Sequence, residues 1–458
     1  MKGNNMNQRE EILSSMPVGR ALYKLAIPSI AAMLINMIYS MTDTFFIGKL
    51  NDTTALAAIM VVMPILMILG AIGAIFGTGG AVIISMALGK KDYENVSKTF
   101  ITTIVSSGLI AIVFSLLTSL FPANLLRTFG ASELVMTYAL QYARIIFIGN
   151  FFTIMNNVLN SLIRSEGATN ISTIGMVIGA LVNIVLDPLF IFYFDMGISG
   201  AALATTLGAL VSAAYYINFY MRGKSVLSID LKSYKYKLNK LKHIITLGVP
   251  SAMLSILMSL SFSLFNILGA KYGDTFIASM GLSTRVVALA IMILIGLSNG
   301  YQPLAGYAYG AGNFERLKKA TLYTLITSVI ISTASYLVFT NWGEKVLSLF
   351  SNVPETIIES VIILKAVSTF LPLMGVIITA ITLFTALGKA KESMIIALTR
   401  QVIVLIPAMF ILPLFFDKYG LIYAQPLSDL VSFIVCLILM FKQTKSLGSS
   451  NQTHKIAS

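Results

Sequence analysis

Long apolar runs, broken by short polar connections, follow one another along nearly all of the 458 residues. The runs are continuous rather than alternating, as over 101–120 and 321–340. A membrane-spanning helix needs roughly 20 apolar residues, because the hydrocarbon is about 30 Å thick and each residue rises about 1.5 Å. A β-barrel would instead alternate apolar and polar positions over segments of about ten residues. Blocks of helical length recur twelve times, starting near Tyr23, Thr54, Ser97, Glu133, Ile171, Gly197, His243, Thr275, Ala320, Val353, Ser393 and Tyr419. The pattern predicts an all-α integral membrane protein with twelve transmembrane helices.

The pattern also repeats once, at a spacing of about 221 residues. Leu25-Ala-Ile-Pro28-Ser29 is echoed by Leu247-Gly-Val-Pro250-Ser251, Gly89-Lys-Lys-Asp-Tyr93-Glu94 by Gly310-Ala-Gly-Asn-Phe314-Glu315, and Gly167-Ala-Thr-Asn170 by Gly388-Lys-Ala-Lys391. Three matches in one order at nearly constant offset predict two six-helix lobes, 1–221 and 243–458, joined by a basic linker over 222–242. An even number of spans per lobe makes both enter from the same side, so a pseudo-twofold axis runs along the membrane normal. Duplicated lobes around a cleft suit a rocking secondary transporter; duplication also builds static channels.

Composition agrees: 57% of residues are apolar, only 11% are charged, and the mean hydropathy is +0.85. Soluble domains carry about 25% charged residues, which excludes a cytosolic enzyme, a secreted disulfide scaffold and a disordered chain. The polar first twenty residues contain no cleavable signal, so the first helix is expected to direct its own insertion. Cys436 is the only cysteine and lies in an apolar run; His243 and His454 lie in basic polar stretches, which argues against intramembrane metal chemistry. The net charge of +13 is explained by position. Most Lys and Arg fall in the N-terminal segment, the even-numbered connections and the tail, whereas the odd-numbered connections carry Lys49, Arg127, Lys271, Lys345 and Lys418. The positive-inside rule then predicts a plasma-membrane protein with both termini cytoplasmic, and the basic balance reads as attraction to anionic membrane lipids rather than to nucleic acid.

Ionisable groups inside spans cost several kcal/mol and call for a reason. The acids there are Asp43, Asp187 and Asp429. Asn183 and Asp187 are four apart and share a helical face, and Pro188 predicts a bend with a freed carbonyl beside the acid. Asp43 and Asp187 are expected to share one polar pocket in the first lobe. At about 6 Å and an effective dielectric near 20 two carboxylates repel by roughly 2.8 kcal/mol, which favours one of them carrying a proton. The same oxygens, with Asn183 and a hydroxyl, suit Na⁺, a hard cation. Asp429 is expected to pair with Arg400 or Lys418. Arg144, Arg285, Lys365 and Arg400 are expected away from the acidic pocket, snorkelling or paired. The 23 Met, 27 Phe and 19 Tyr suit a promiscuous apolar cavity, although most such residues face lipid or packing partners. Trp342 reads as an interfacial residue, and Gly77-Thr-Gly-Gly80, without a following P-loop lysine, as a close-packing stretch rather than a phosphate loop.

With these residues in hand, the chain resembles the MATE (multidrug and toxic compound extrusion) family over about residues 17–445, above all its DinF-like and MepA-like branches. The resemblance implies a multidrug efflux antiporter that works as a monomer and needs no cofactor, exporting cationic amphipathic compounds in exchange for H⁺ or Na⁺. It implies a coupling site at Asp43, Asn183, Asp187 and Thr205, which would also be the Na⁺ ligands, and a substrate cavity at Asn36, Tyr39, Asn157 and Asn160. The NorM-like acids of the seventh and tenth helices have no counterpart over 244–270 and 361–387, which points coupling to the first lobe. Retention of Asp43 departs from many MepA-like members. Two other readings compete: a flippase for lipid-linked oligosaccharide, which needs a cationic central cavity with Arg144 and Arg285 as the residues to watch, and an intramembrane aspartyl enzyme on Asp43 and Asp187.

Overall fold

The structure is a computed structural model and describes residues 9–50, 53–223, 225–227, 238–351 and 353–456. Among them there is no β-strand. A short helix α1 (9–14) precedes the first lobe, which comprises α2 (Val18–Gly48), α3 (Thr53–Gly89), α4 (Tyr93–Leu120), the short α5 (Pro122–Thr128), α6 (Glu133–Ser165), α7 (Thr169–Pro188) and α8 (Gly197–Met221). The second lobe comprises α9 (Leu238–Gly269), α10 (Asp274–Gly310), α11 (Phe314–Leu347), α12 (Pro354–Ser368), α13 (Leu371–Ala386), α14 (Ala390–Leu398) and α15 (Leu405–Ile456). Of the expected linker, 228–237 lie outside the described residues, and Leu238 onward is already helical.

Among the described residues ten helices are long and apolar enough to span a membrane, and α12 with α13 form an eleventh span bent by 50°. The bend, absent from the expected single span, falls where Pro372 occupies the first turn of α13 and cannot continue the preceding hydrogen-bond ladder. The stretch Ala390–Gln443 counts as one of the ten but has 54 residues, far more than one crossing needs. Asp417 breaks it at φ 50°, ψ −135°, and Gly420 returns so closely that a Cβ there would lie 2.3 Å from the Leu412 carbonyl carbon. The chain therefore turns back on itself, and this stretch supplies two crossings, which restores the predicted twelve. Pro188 does not simply kink α7: the chain passes into a π-helical turn over Leu189–Tyr193.

Packing divides the molecule by height. In the half that carries the termini one apolar core joins both lobes, with Leu25, Phe76 and Ile154 in the same cluster as Leu297, Leu304 and Leu383. The two remaining clusters each belong to a single lobe. Glycines make the shared core possible. A Cβ on Gly79 would lie 2.0 Å from the Ile244 carbonyl oxygen, one on Gly248 1.8 Å from that of Ile75, and one on Gly310 2.0 Å from that of Met86. The repeated loop motif thus brings α3 and α10 together across the pseudo-twofold axis, and Gly77 and Gly80 pack on Ser161 and Thr103 as the sequence predicts.

Helix α1 straps this closed face. From the second lobe, Arg316 donates to the carbonyls of Leu13 (2.8 Å), Met16 (2.7 Å) and Ile12 (2.9 Å). From the first lobe, Glu166 lies 3.7 Å from Arg9 and accepts from Ser225 Oγ (2.8 Å) and Val226 N–H (2.9 Å). Burial pushes the Glu166 carboxyl up, to about 7, although Arg9 and these two donors favour its ionised form.

Candidate functional site

The first lobe encloses a cavity of about 460 Å³ between α2, α3, α6, α7 and α8. Six of the eight predicted site residues line it: the four cavity residues Asn36 and Tyr39 from α2 and Asn157 and Asn160 from α6, with Asn183 from α7 and Thr205 from α8 of the coupling set. Asp43 and Asp187 are not on the wall. Each sits one helical turn beyond a lining residue, Asp43 past Tyr39 and Asp187 past Asn183, toward the membrane side opposite the termini. Asp187 is fully buried and Asp43 half-buried.

Helix periodicity explains the cluster. Residues four apart stack on one face, so Tyr39 and Asp43 project together, as do Asn183 and Asp187. The Asn183 amide donates to Asp187 Oδ1 (3.4 Å) and to Thr205 Oγ1 (3.3 Å), which ties α7 to α8. Tyr39 lies against Thr205 and within electrostatic reach of both acids, and Asp187 feels the charge of Asp43. Three acceptors in this cluster are buried without a hydrogen-bond partner: Asp43 Oδ1, Asn183 Oδ1 and Asp187 Oδ2. A buried acceptor left unpaired costs about 1–3 kcal/mol, so a proton or a hard cation brought to these oxygens is stabilised on arrival. Among the described residues no group of three His, Cys, Asp or Glu could hold a metal ion, so a bound Na⁺ would draw on the neutral oxygens of Asn183 and Thr205 beside the carboxylates.

The cavity is not the Met- and Phe-rich chamber that composition suggested. Its only aromatic residue is Tyr39, and asparagines dominate: Asn36, Asn156, Asn157, Asn160, Asn183 and Asn299. The large apolar side chains go instead to the shared and lobe cores and to the outer face, where Phe415, Leu414 and Phe441 are exposed. Arg164, which by sequence falls at the basic connection after the fourth span, lies in the last turn of α6, lines the cavity, and donates to Asn160 Oδ1 and to Ser161 Oγ (3.2 Å). A signal for it existed, since Asn156, Asn160 and Arg164 are four apart on one face. Asn299 comes from α10 in the other lobe and carried no such signal. Asn160 is also structural, its amide donating to the Tyr216 hydroxyl at 2.7 Å.

The remaining intramembrane charges fall where charge pairing predicts. Arg144, Arg285 and Lys365 are exposed and line neither lobe's cavity. Asp429 pairs with Arg400 at 2.7 Å, while Lys418 pairs with Glu359 at 3.0 Å.

The MatE family profile matches residues 28–189 and 250–411, one segment in each lobe. The chain is 30% identical over 430 residues to the multidrug export protein MepA of Staphylococcus aureus (strain MSSA476), covering 93% of this chain and 94% of that protein. It is 29% identical over 422 residues to MepA of Staphylococcus haemolyticus (strain JCSC1435), covering 92% and 93%. Among solved structures, a MATE transporter in complex with MaL6 superimposes with a TM-score of 0.92 at 24% identity, over 96% of this chain and 99% of that one. A MATE-family multidrug resistance transporter in its outward-facing conformation superimposes with a TM-score of 0.91 at 24% identity, over 96% and 98%.

Proposed function

The chain belongs to the MatE family of multidrug efflux transporters and is not an enzyme, and on that premise we propose that it is an antiporter of the plasma membrane that expels cationic amphipathic compounds in exchange for H⁺ or Na⁺. The observation that carries this reading is the group of unpartnered acceptors Asp43 Oδ1, Asn183 Oδ1 and Asp187 Oδ2 at the end of the first-lobe cavity. They are the place where an incoming cation is held. Tyr39, Asn183 and Thr205 stand between the acids and the cavity, so an ion that occupies the acids and a drug that fills the cavity act on the same three side chains.

The lobes meet on the face with the termini, which the positive-inside rule assigns to the cytoplasm, so the cleft opens outward. In that state the acids take up an ion from outside. The ion neutralises the single negative charge that the acid pair carries, a cationic drug loses its electrostatic partner, and the drug leaves outward. Rocking the lobes then exposes the site inward, where the ion departs and a new drug enters. Substrate and ion compete for one negative charge, which is the coupling. Arg144 and Arg285, the residues on which the flippase reading rests, are exposed and line neither cavity.

The test is ethidium flux in proteoliposomes under an imposed pH gradient without Na⁺, then under a Na⁺ gradient. Flux that follows either gradient and collapses when it is dissipated is the expected result. Absence of flux under both gradients overturns the antiport reading.

A further inference from the structure

The second lobe has its own cavity, about 360 Å³, with a more apolar wall than the asparagine-lined first. Leu254, Met258, Ile291, Ile295, Ile377 and Ile381 form its apolar wall, interspersed with hydroxyl and amide side chains, and among the described residues no carboxylate lines it. One charged residue does, Arg400, which is only 8% exposed. It sits in a π-helical turn over Thr399–Val404. Its Nε donates to Asp429 Oδ1 at 2.7 Å, and its backbone carbonyl accepts from Ser428. Gln425 donates to the same Oδ1 at 3.0 Å.

The guanidinium therefore spends one of its five N–H donors on Asp429. The four on Nη1 and Nη2 find no acceptor among the described residues, in a position nine-tenths buried and turned to a cavity. Asp429 balances the charge but engages by a single bond, not by the two parallel bonds that a guanidinium offers a carboxylate. What is missing is an anionic or strongly accepting group with two oxygens, carried on an apolar body that fits the isoleucine wall. The cavity adjoins the first-lobe cavity: Ala74, Thr78 and Asn299 line both.

We propose that the second-lobe cavity is a ligand site in which Arg400 receives the carboxylate of an amphipathic compound. A zwitterion could then lay its cationic end toward the acids of the first lobe and its carboxylate on Arg400, with Ala74, Thr78 and Asn299 as the passage between them. The proposal rests on the efflux reading for the supply of such ligands, but binding itself needs neither gradient nor transport.

The probe is a pair of dyes that differ in one group: rhodamine B, a zwitterion with a free carboxylate, and its ethyl ester, a cation with the same rings. Binding is read by fluorescence polarisation on the purified full-length chain. Arg400→Gln combined with Asp429→Asn removes the guanidinium while keeping a neutral hydrogen-bonded pair, so the lobe is not left with a buried lone charge; Arg400→Lys keeps the charge and loses the fork. The expected result is at least tenfold weaker rhodamine B binding in the double variant, a smaller loss in Arg400→Lys, and less than twofold change for the ester in both. Equal loss for both dyes, no loss for either, or failure of rhodamine B to bind the wild-type chain overturns the site. Ethidium flux on the same preparations reports separately on the efflux reading: retained flux with unchanged dye binding sinks this site alone, and carboxylate-selective binding without ethidium flux sinks antiport alone.

Discussion

At the scale of single residues, the first lobe concentrates its unmet hydrogen-bonding demand at one point. Asp187 is fully buried, its Oδ1 accepts only from Asn183, and its Oδ2 accepts from nothing. Nothing in the fold needs a negative charge there: within the cluster it meets another acid, not a base. Replacing either carboxylate by its amide keeps the shape and removes the charge that the proposed coupling ion would bind. Asp43→Asn and Asp187→Asn should each abolish drug resistance while leaving the protein in the membrane in normal amounts, as checked by growth on ethidium beside immunoblots of the membrane fraction. Wild-type resistance in both variants would remove these acids from the coupling site. Asp429 is the contrasting case, an acid that answers Arg400 and so holds α15 to the π-helical turn before it. Truncating one partner alone would leave the other buried and unpaired, at a cost of about 3–5 kcal/mol.

At the scale of helices, the lobes are joined by backbone approaching backbone. Helix α3 crosses α9 at Gly79 and Gly248 and meets α10 at Gly89 and Gly310, each time too closely for a methyl group. Glycine has no Cβ, so the contact is made by the helix itself, backbone against backbone. In Gly248→Ala the added methyl would sit 1.8 Å from the Ile75 carbonyl, which is backbone and cannot swing aside. The variant should spring the seam on the face that carries the termini. A cysteine at Thr78, introduced after Cys436→Ser, should then react severalfold faster with a maleimide applied to inside-out vesicles. An unchanged rate would show that the seam yields elsewhere. The alternative, a lobe interface of interdigitated side chains, would not open and close over so short a distance.

For the whole molecule, the closed face is held by a strap of modest strength. Helix α1 is gripped by Arg316 from one lobe and reaches Glu166 through Arg9 on the other, so it spans the seam between the lobes. Glu166 faces Arg9, Ser225, the Val226 N–H and Tyr220, with Glu10, Tyr93 and Tyr307 along the same crevice. Its pKa is about 7 in the fold against an ordinary 4.5, so between those values the folded chain holds a proton that the unfolded chain has released. Its contribution is complete below the lower value and is lost as pH rises through the upper one, by at most about 1.4 kcal/mol per pH unit. Thermal unfolding midpoints in detergent should therefore fall more between pH 5 and 7.5 for the wild type than for Glu166→Gln. Equal slopes would mean that another group titrates. On the larger energy scale, one charge entering down about 150 mV would supply roughly 3.5 kcal/mol for a neutral drug, a few-hundred-fold gradient. A monovalent cationic drug leaving for one entering charge makes the exchange electroneutral and draws only on the ion's concentration gradient.

Span number, two-lobe architecture and the acids' places on their helices could be read from the sequence because each is a local consequence of a general constraint. Hydrocarbon thickness sets helix length, a repeated offset reveals duplication, and spacing of four puts Asn183 beside Asp187 and Tyr39 beside Asp43. What the chain's order could not reveal was which faces look onto empty space. That depends on how far each helix is rotated and how closely it crosses its neighbours, which glycines such as Gly79 and Gly248 decide only once both helices are in place. Tertiary packing thus turned Arg164 from a presumed loop charge into a cavity residue, brought Asn299 across from the other lobe, and set Arg400 on an aliphatic wall. It also kept the phenylalanines off both cavity walls and gave the first-lobe cavity its amides. Apolar side chains gain from any apolar surroundings, whereas asparagines in a membrane need partners or water, and the cleft is where both are found.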